Sequence, residues 1–308
     1  MEVLLTFEHS PSTQHLSVHK KISSGNFNVY HAKFANSDVE CALKVFPKSS
    51  TAQKIYQHEK QIISKLKHEN IITYVPIQSH NLDCNLLLTE YASYGDFLEL
   101  VLKNIFRSEK LIRTYFSQLI DALSYMHRRG YAHLDVKLEN LLLHKSFQLK
   151  LADFNQTEAT RTKDIAYGGT RNYRAPEVIA RSCKDPVAVD IYAAGIVLFV
   201  LQTGEFPFLE EGAEISLKSE DYYLFYSENE KFWQKKAKGK PVEKCFSPEF
   251  MELINGMLAK DPAQRFTINQ IKQSAWYNQE VFDNKKLNAE MQRVFERTFI
   301  NYGRTKSL

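Results

Sequence analysis

The sequence predicts an α+β protein in which a small β-rich part precedes a larger, mostly helical part. Residues 1–90 alternate short strand-like segments with one helix-like segment. From residue 96 onward, apolar residues recur at helical spacing. No Pro- or Gly-rich linker, repeat or low-complexity tract divides the chain. We therefore predict an N-terminal region at 1–95, a helical region at 96–278 and an appended C-terminal helix or tail at 279–308.

The composition of the 308 residues suits a globular protein of about two lobes. Hydrophobic residues make up 44% and charged residues 25% of the chain. The net charge of +4 is too small to indicate nucleic-acid binding, and the basic run at 235–244 is predicted to be a solvated loop. The four cysteines include no C-x-x-C pair, which argues against a zinc site or a disulfide framework and indicates a reducing compartment.

The longest apolar run, at 191–201, is predicted to be a core helix. It is much shorter than the roughly 20 residues that a bilayer-spanning helix needs. No charged segment followed by an apolar one opens the chain, so we expect no secretory signal. We expect a cytoplasmic protein, with the nucleus as an alternative location, and no membrane span.

The strand-like segments of the N-terminal region come first. Residues 3–7 and the stretch before Gly25 are of strand type. CALKVF at 41–46 is an apolar strand with a single lysine, Lys44. The run LLLTEYASYGDFLELV at 86–101 changes from strand to helix across Gly95 and its two predecessors, which indicates a hinge between the two parts.

Helical spacing of apolar residues predicts the helices. The segment that starts at Glu59 carries Ile62, Ile63 and Leu66 at this spacing. The segment at 108–130 has a longer stripe, which predicts a long buried helix. Its members are Leu111, Ile112, Tyr115, Phe116, Leu119, Ile120, Leu123 and Met126.

One constellation of residues carries the chemistry. HLDVKLEN at 133–140 is followed, thirteen positions after Asn140, by Asp153 in the triplet DFN. A polar loop between a helix and a buried strand would explain any one of these residues, but not six specified types in order. The pattern resembles the catalytic loop H-R-D-L-x-x-x-N and the D-F-G of protein kinases. The resemblance extends over roughly residues 16–278 and implies a bilobal protein kinase fold with ATP as cofactor.

The resemblance assigns the catalytic roles. It implies that Asp135 accepts the proton of the attacking hydroxyl and that Lys137 lies against the γ-phosphate. It also implies that Asn140 and Asp153 hold two Mg²⁺ ions, with Mn²⁺ as an alternative. Thr170, in the Gly-Thr pair that precedes A-P-E, is expected to hydrogen-bond to Asp135 and Lys137.

The nucleotide-binding residues follow from the same resemblance. Lys44 matches the phosphate-binding lysine of V-A-I-K, and Glu59 is its expected partner on the helix that kinases call αC. The other residues expected around the nucleotide lie on the strands, hinge and loops, and two of them also match positions that present carboxylates to a basic substrate residue. The strand and hinge members are Ile22, Gly25, Val29, Ala42, Thr89, Glu90, Tyr91 and Ala92, and the others are Leu142 and the two acidic residues Asp96 and Glu139.

Two further matches indicate the class of kinase. GGTRNYRAPE at 168–177 resembles the end of an activation segment, and its Glu177 is expected to pair with Arg265 of DPAQRF. Lys137 and Thr170 match the pattern of the serine/threonine branch. Within it, the sequence most resembles calcium/calmodulin-dependent and AMP-activated-like kinases. The implied partners are proteins with Ser or Thr acceptors and a basic residue upstream.

Three departures from the family pattern have consequences. The glycine loop keeps only Gly25; either its third glycine is deleted or Asn28 stands there, and weaker ATP binding is expected in both cases. Asn155 replaces the D-F-G glycine and is expected to adopt φ > 0, which Asn does at modest cost. Leu134 replaces the Arg of H-R-D, and Ala166 has no hydroxyl where a phosphorylation site would be. We therefore expect activity without phosphorylation of the activation segment.

Two alternatives stay open at this point. A pseudokinase that binds nucleotide or acts as a scaffold would tolerate an eroded glycine loop, although it would have no need of the full catalytic set. In the tail, Leu287, Met291, Val294 and Phe295 form an apolar stripe with Phe299 at its edge. We predict that this helix packs on the helical region, and the alternative is a regulatory helix that binds a partner.

Overall fold

The computed structural model describes residues 2–7, 10–35, 37–79, 83–162, 169–208 and 219–305. Within these residues, seven strands form one sheet, with the order β5-β7-β4-β3-β2-β1-β6. The strands of the sheet are β1 (Glu2–Phe7), β2 (Ser10–Ser24), β3 (Asn28–Phe34), β4 (Glu40–Pro47), β5 (Tyr74–Val75), β6 (Ile77–Ser79) and β7 (Cys84–Glu90), and helix α1 (Ser50–Ile63) follows β4. The predicted strands at 3–7 and 41–46 are therefore confirmed.

Alternation along β3 and β4 separates the core from the functional face. Ala32, Phe34, Cys41 and Leu43 are buried in the core of the sheet. Residues two apart on a strand point to the same face, so Lys44 lies on the opposite face. This face also carries Val29, Ala42 and Thr89, three of the predicted nucleotide-binding residues.

Helix α1 starts earlier and ends earlier than its apolar spacing predicted. Ser49 is the N-cap, and its side chain accepts the backbone N–H of Ala52. Glu59, Ile62 and Ile63 are buried on the helix. The prediction that Leu66 belongs to the helix is wrong. The helix ends at Ile63 and is followed by a turn, although Leu66 itself is buried.

The chain continues with helices and short strands. They are α2 (Phe97–Leu102), α3 (Glu109–Arg128), β8 (Tyr131–Ala132), β9 (Leu141–Leu143), β10 (Leu149–Leu151) and β11 (Glu158–Ala159), with a 3₁₀ turn at Leu138–Asn140. All eight apolar residues of the predicted stripe in α3 are buried. The long buried helix is therefore confirmed.

The remaining elements are helical. They are α4 (Pro176–Ile179), α5 (Pro186–Thr203), α6 (Glu220–Ser227), α7 (Asn229–Lys236), α8 (Pro248–Met257), α9 (Ile268–Gln273) and α10 (Asn284–Thr305), with 3₁₀ turns at Arg171–Tyr173 and Val242–Lys244. Lys235 and Lys236 end α7 and form ion pairs with Asp221. The prediction of a solvated loop for this basic run is therefore wrong at its start, because these two lysines belong to a helix with acidic partners.

Helix α5 is long and apolar enough to match a membrane span by length and composition. However, 83% of this segment is buried inside the protein, as the core helix of a water-soluble domain would be. Its packing is tight. A Cβ atom at Gly195 would lie 2.8 Å from Leu258, so the absence of a side chain lets α5 approach the end of α8.

The chain divides into two compact units. The first comprises residues 1–95 and 142–157, and the second comprises 96–141 and 158–308. Residues 142–157 are tied to the first unit by a bridge from Ile71 to Leu151 and by the Asn70 side chain, which donates to the Leu149 carbonyl.

Candidate active site

The residues predicted around the adenine share one face of the sheet. Ala42 pairs with Thr89 across β4 and β7, and Val29 pairs with Lys44 across β3 and β4. All four side chains are partly buried. Paired residues of an antiparallel ladder point to the same face, so the ladder brings these positions together as predicted.

At the end of β7 the Glu90 side chain is held by its partners, and the backbone N–H of Ala92 just after it is available for a hydrogen bond. The Glu90 carboxylate accepts the Thr73 N–H at 2.8 Å and pairs with Lys150 at 2.8 Å. Burial raises the pKa of Glu90, but the hydrogen bonds from Lys150 and Thr73 outweigh it and lower the pKa. Among the described residues, the Ala92 N–H has no protein acceptor, and its carbonyl accepts from Gly95.

Two features of the nucleotide face were not predicted. The ring of His31 packs against Tyr91, with centroids 4.3 Å apart and the ring planes tilted by 32°. In the turn that contains Gly25, Phe27 packs on Phe46 at 4.4 Å, and its ring centroid is 5.8 Å from Lys44 Nζ. Phe27 lies in the glycine loop and His31 lies on β3, but the motif resemblance assigns no contact to either ring.

Lys44 binds two carboxylates of the first unit. Its Nζ lies 2.8 Å from Glu59 Oε2 and 2.8 Å from Asp153 Oδ1. The pairing with Glu59 was predicted, whereas the pairing with Asp153 was not. Burial lowers the pKa of Lys44, but the two carboxylates outweigh it and raise the pKa, so the ammonium stays charged.

Glu59 is the more perturbed member of this cluster. Glu59 is only 2% exposed to solvent. Burial raises the pKa of Glu59 to about 7, and Lys44 offsets only part of that effect. The sequence gives no signal for this shift, because it depends on how deeply α1 is packed.

The prediction of φ > 0 at Asn155 is wrong. Asp153 has φ 65, and Asn155 is not among the described residues with positive φ. The left-handed turn therefore occurs at the first residue of DFN. Aspartate also tolerates this region, since its short polar side chain can bond locally. Phe154 is fully buried.

The catalytic loop lies in the second unit, and Asp135 is its most constrained residue. Asp135 Oδ1 accepts from the Thr170 N–H at 2.8 Å and from the Thr170 hydroxyl at 2.9 Å. Its Oδ2 pairs with Lys137 at 2.8 Å and accepts from Asn140 Nδ2 at 3.0 Å. Lys137 also donates to the Thr170 hydroxyl at 2.7 Å. The predicted bonds of Thr170 to Asp135 and Lys137 are therefore present.

Asp190 of α5 holds the loop in place. It is fully buried. Its carboxylate accepts hydrogen bonds from the backbone N–H groups of His133 and Leu134, each at 2.8 Å, and lies 2.8 Å from Nε2 of His127. Leu134 is buried and has φ 64. Sequence reasoning missed Asp190, whose only signal was an acidic residue at the start of an otherwise apolar helix.

Glycine is required at position 169. Gly169 has φ 83, and a Cβ there would lie 2.9 Å from the Leu134 carbonyl oxygen. A side chain would therefore strain both the backbone and this close approach. Since Thr170 is the next residue, this turn sets the position of the Thr170 hydroxyl against Asp135.

Of the remaining predicted residues, Asp96 and Glu139 have structural partners. Asp96 is the N-cap of α2, and burial raises its pKa. Glu139 accepts a hydrogen bond from the Tyr173 hydroxyl at 3.2 Å. Ile22 lies on β2 and is 39% exposed, Leu142 lies on β9, and Gly25 lies in the turn between β2 and β3 without a positive φ.

The predicted ion pair of Glu177 and Arg265 is present. Arg265 donates to both carboxylate oxygens, at 2.6 and 2.9 Å, and to the Ala259 carbonyl. Both residues are buried. A buried pair whose donors are satisfied is costly to break, because removal of one partner leaves an uncompensated charge.

Asn140 and Asp153 fit the role of magnesium ligands by their chemistry. Asn140 uses Nδ2 as a donor to Asp135, so its Oδ1 is the atom that it can offer to a cation. Carboxylate and amide oxygens are hard ligands of the kind that Mg²⁺ takes. The described residues contain no cluster of three or more His, Cys, Asp or Glu side chains that could hold a metal. Mg²⁺ in phosphoryl-transfer sites usually takes one or two protein ligands together with substrate phosphates.

Comparison with known proteins gives one family. A profile of the protein kinase domain matches residues 16–277. CBL-interacting protein kinase 26 of Oryza sativa subsp. japonica is 33% identical over 269 residues, which cover 84% of this chain and 51% of the relative. CBL-interacting serine/threonine-protein kinase 14 of Arabidopsis thaliana is 31% identical over 273 residues, 85% of this chain and 58% of the relative. The chain spans about half the length of the curated relatives it matches.

Proposed function

Because the chain belongs to the protein kinase domain family, we propose that it transfers the γ-phosphate of ATP to serine or threonine hydroxyls of proteins. The observation that carries the proposal is the hydrogen-bond network of Asp135. Both carboxylate oxygens are held by Thr170, Lys137 and Asn140. A base held this tightly is oriented before a substrate arrives, as proton transfer in a positioned complex requires.

The proposed roles follow from the contacts. Asp135 orients the acceptor hydroxyl and takes its proton. Lys137, which is 2.8 Å from Asp135, is placed to neutralise charge on the transferred group. Lys44 binds the ATP phosphates and is oriented by Glu59. By their chemistry, Asn140 and Asp153 would hold Mg²⁺, and the ion would supply charge neutralisation.

Serine and threonine are the proposed acceptors. The pairing of Lys137 with Thr170 at 2.7 Å supports this choice, since both residues resemble the serine/threonine branch. The name of the Arabidopsis relative states the same specificity. The relatives are also named for an interaction with CBL. For this chain we propose only that a regulatory protein binds, and we do not assign its identity. We further propose a cytoplasmic location.

The proposed substrates carry a basic residue upstream of the acceptor. Glu139 is partly exposed and keeps its carboxylate beside the catalytic loop, with one hydrogen bond from Tyr173. Asp96 is largely engaged as a helix cap, so Glu139 is the stronger determinant. A degenerate peptide library should show enrichment of Arg or Lys a few residues before the acceptor, and Glu139→Gln should weaken it. If the wild type and Glu139→Gln enriched upstream Arg or Lys equally, this role of Glu139 would be contradicted.

The decisive experiment is radiometric phosphorylation of that library with Mg·ATP. Lys44→Met and Asp135→Asn should each lower the transfer rate by at least about 100-fold, because each removes a charge that acts in the transition state. Lys48→Met is the matched control, since Lys48 is an exposed lysine four residues after Lys44 on the chain. If the wild type is as silent as Lys44→Met, with folding of both shown by cooperative thermal unfolding, the pseudokinase alternative is correct.

A further inference from the structure

A groove lies on the second unit where the start of α3 meets the middle of α10. Its volume is about 220 Å³, room for several water molecules at about 30 Å³ each. Ile105, Leu111 and Val294 give it an apolar floor, and the first two are almost fully buried. The groove belongs neither to the catalytic loop nor to the nucleotide face.

The rim of the groove is basic. Arg107, Arg293 and Arg297 line it, against a single acidic residue, Glu290. Arg293 is paired with Glu290. Arg107 donates its Nε to the Asn104 carbonyl, which leaves its terminal nitrogens without a protein acceptor among the described residues. Arg297 has no carboxylate partner in the part of the chain that the structure describes.

Two guanidinium groups with unused donors beside an apolar floor define the chemistry of an occupant. Guanidinium groups bind carboxylates through paired hydrogen bonds. Ile105 and Leu111 are already almost fully buried, so Val294 is the one floor residue with apolar surface left to cover. The lining contains no aromatic side chain, whereas single-stranded nucleic acid is usually held by stacking on aromatic residues. Charge and floor together favour a protein segment over a nucleic acid.

We propose that this groove docks an acidic peptide segment of a partner protein. Carboxylates of the segment bind Arg107 and Arg297, and an aliphatic side chain between them contacts Val294, the partly exposed residue of the floor. The docking site is separate from the site proposed for phosphoryl transfer, so it can recruit a substrate or a regulator without blocking catalysis.

Binding is measured by fluorescence anisotropy with the full chain, in the absence of ATP. The probe is a labelled peptide with one leucine between two Asp-Glu-Asp triplets. We expect saturable binding that weakens as salt is raised. The double variant Arg107→Glu/Arg297→Glu should weaken binding at least about 10-fold. Lys285→Glu, an exposed charge reversal at the start of α10, should leave it unchanged.

Three results would overturn the proposal. The first is no binding of the acidic peptide to the wild type. The second is equal loss in Lys285→Glu, which would mean attraction by overall charge. The third is tighter binding of a single-stranded oligonucleotide that depends on the same two arginines. Because the assay needs no ATP, its outcome is independent of whether the chain phosphorylates proteins. Val294→Ser, which changes the floor without changing charge, serves as a second test if the double variant is unstable.

Discussion

At the scale of single residues, backbone conformation decides what the site residues can do. The preference of Asn for φ > 0 indicated a left-handed turn at Asn155, but Asp153 takes that conformation. Both residue types tolerate the region, so propensity alone could not choose between them. Asp153 Oδ1 also bonds to Lys44 at 2.8 Å, a contact between residues 109 positions apart that local propensity does not take into account.

The buried carboxyl of Glu59 gives a pH dependence with a definite sign. Its pKa rises from 4.5 to about 7 on folding, so the folded state binds the proton more tightly. Stability from this group is therefore present at low pH and is lost as the pH rises through about 7. Relative to Glu59→Gln, the wild type should lose about 3 kcal/mol of unfolding free energy between pH 4.5 and 7.

Urea unfolding of the two proteins across this pH range checks the prediction. Glu69→Gln is the control, because Glu69 is exposed. The difference in unfolding free energy between this variant and the wild type should not change with pH. A difference between wild type and Glu59→Gln that does not change with pH would show that Glu59 is charged in the fold throughout this range.

Gly169 allows a comparison between two glycines of similar φ. Gly169→Ala should destabilise the protein by more than the roughly 1–2 kcal/mol that a left-handed alanine costs, because its Cβ would also press on the Leu134 carbonyl. Gly239→Ala, with φ 79 and no atom within 4 Å, should show only the backbone cost. Denaturant unfolding measures both. The phosphorylation rate should fall only for Gly169→Ala, since Thr170 is displaced from Asp135. Equal losses of stability would rule out the close contact as a cause.

At the scale of elements, apolar spacing predicted which helices exist better than where they end. The stripe of α3 is buried at every predicted position. In contrast, Leu66 lies beyond the end of α1 but is buried all the same, so the apolar pattern continues past an exposed turn at Ser64 and Lys65. Spacing reports which side chains are buried, and hydrogen bonds at the caps decide where a helix stops.

Helix α10 packs on the second unit, as predicted. Leu287 and Met291 are fully buried, and Val294 and Phe295 are partly buried. The side chain of Phe299, at the edge of the predicted stripe, is outside the described residues. The segment before α10 is also anchored, since Arg113 donates to the side chain of Gln279 and to the Glu280 carbonyl. Packing therefore accounts for most of the stripe.

Met291→Ala tests how much this packing contributes. Truncation of a buried methionine to alanine usually costs about 2–5 kcal/mol, and Met291 is 0% exposed. Gln292→Ala, at the neighbouring exposed position, should change stability by less than about 0.5 kcal/mol. Thermal and urea unfolding measure both variants. A Met291→Ala protein that is fully stable but phosphorylates faster would instead indicate that α10 is an autoinhibitory helix.

The activation segment is the element on which sequence and structure say least. Ala166, on which the expectation of phosphorylation-independent activity partly rests, lies outside the described residues. Leu134, the other basis, is buried and bonded through its backbone to Asp190. An aliphatic side chain in this position offers no donor to a phosphate. The expectation stays a prediction.

At the scale of the whole molecule, the motifs predicted the family and some contacts between distant residues. Glu177 and Arg265 are 88 positions apart, yet the motif resemblance predicted the ion pair that they form. The roles of Asp190 and Phe27 could not be predicted in this way, because the motif resemblance assigns no contact to either side chain. Their roles depend on packing between distant segments, and periodicity within one segment carries no information on such packing.

The contacts of Asp190 also determine how the catalytic loop exchanges with solvent. The amide hydrogens of His133 and Leu134 belong to no helix or strand, and loop amides usually exchange quickly. Here both donate to a carboxylate with 0% exposure. Their hydrogens can be replaced by deuterium only when the packing around α5 opens. The loop therefore shares the protection of the core helix, and its geometry should last as long as the fold of the second unit.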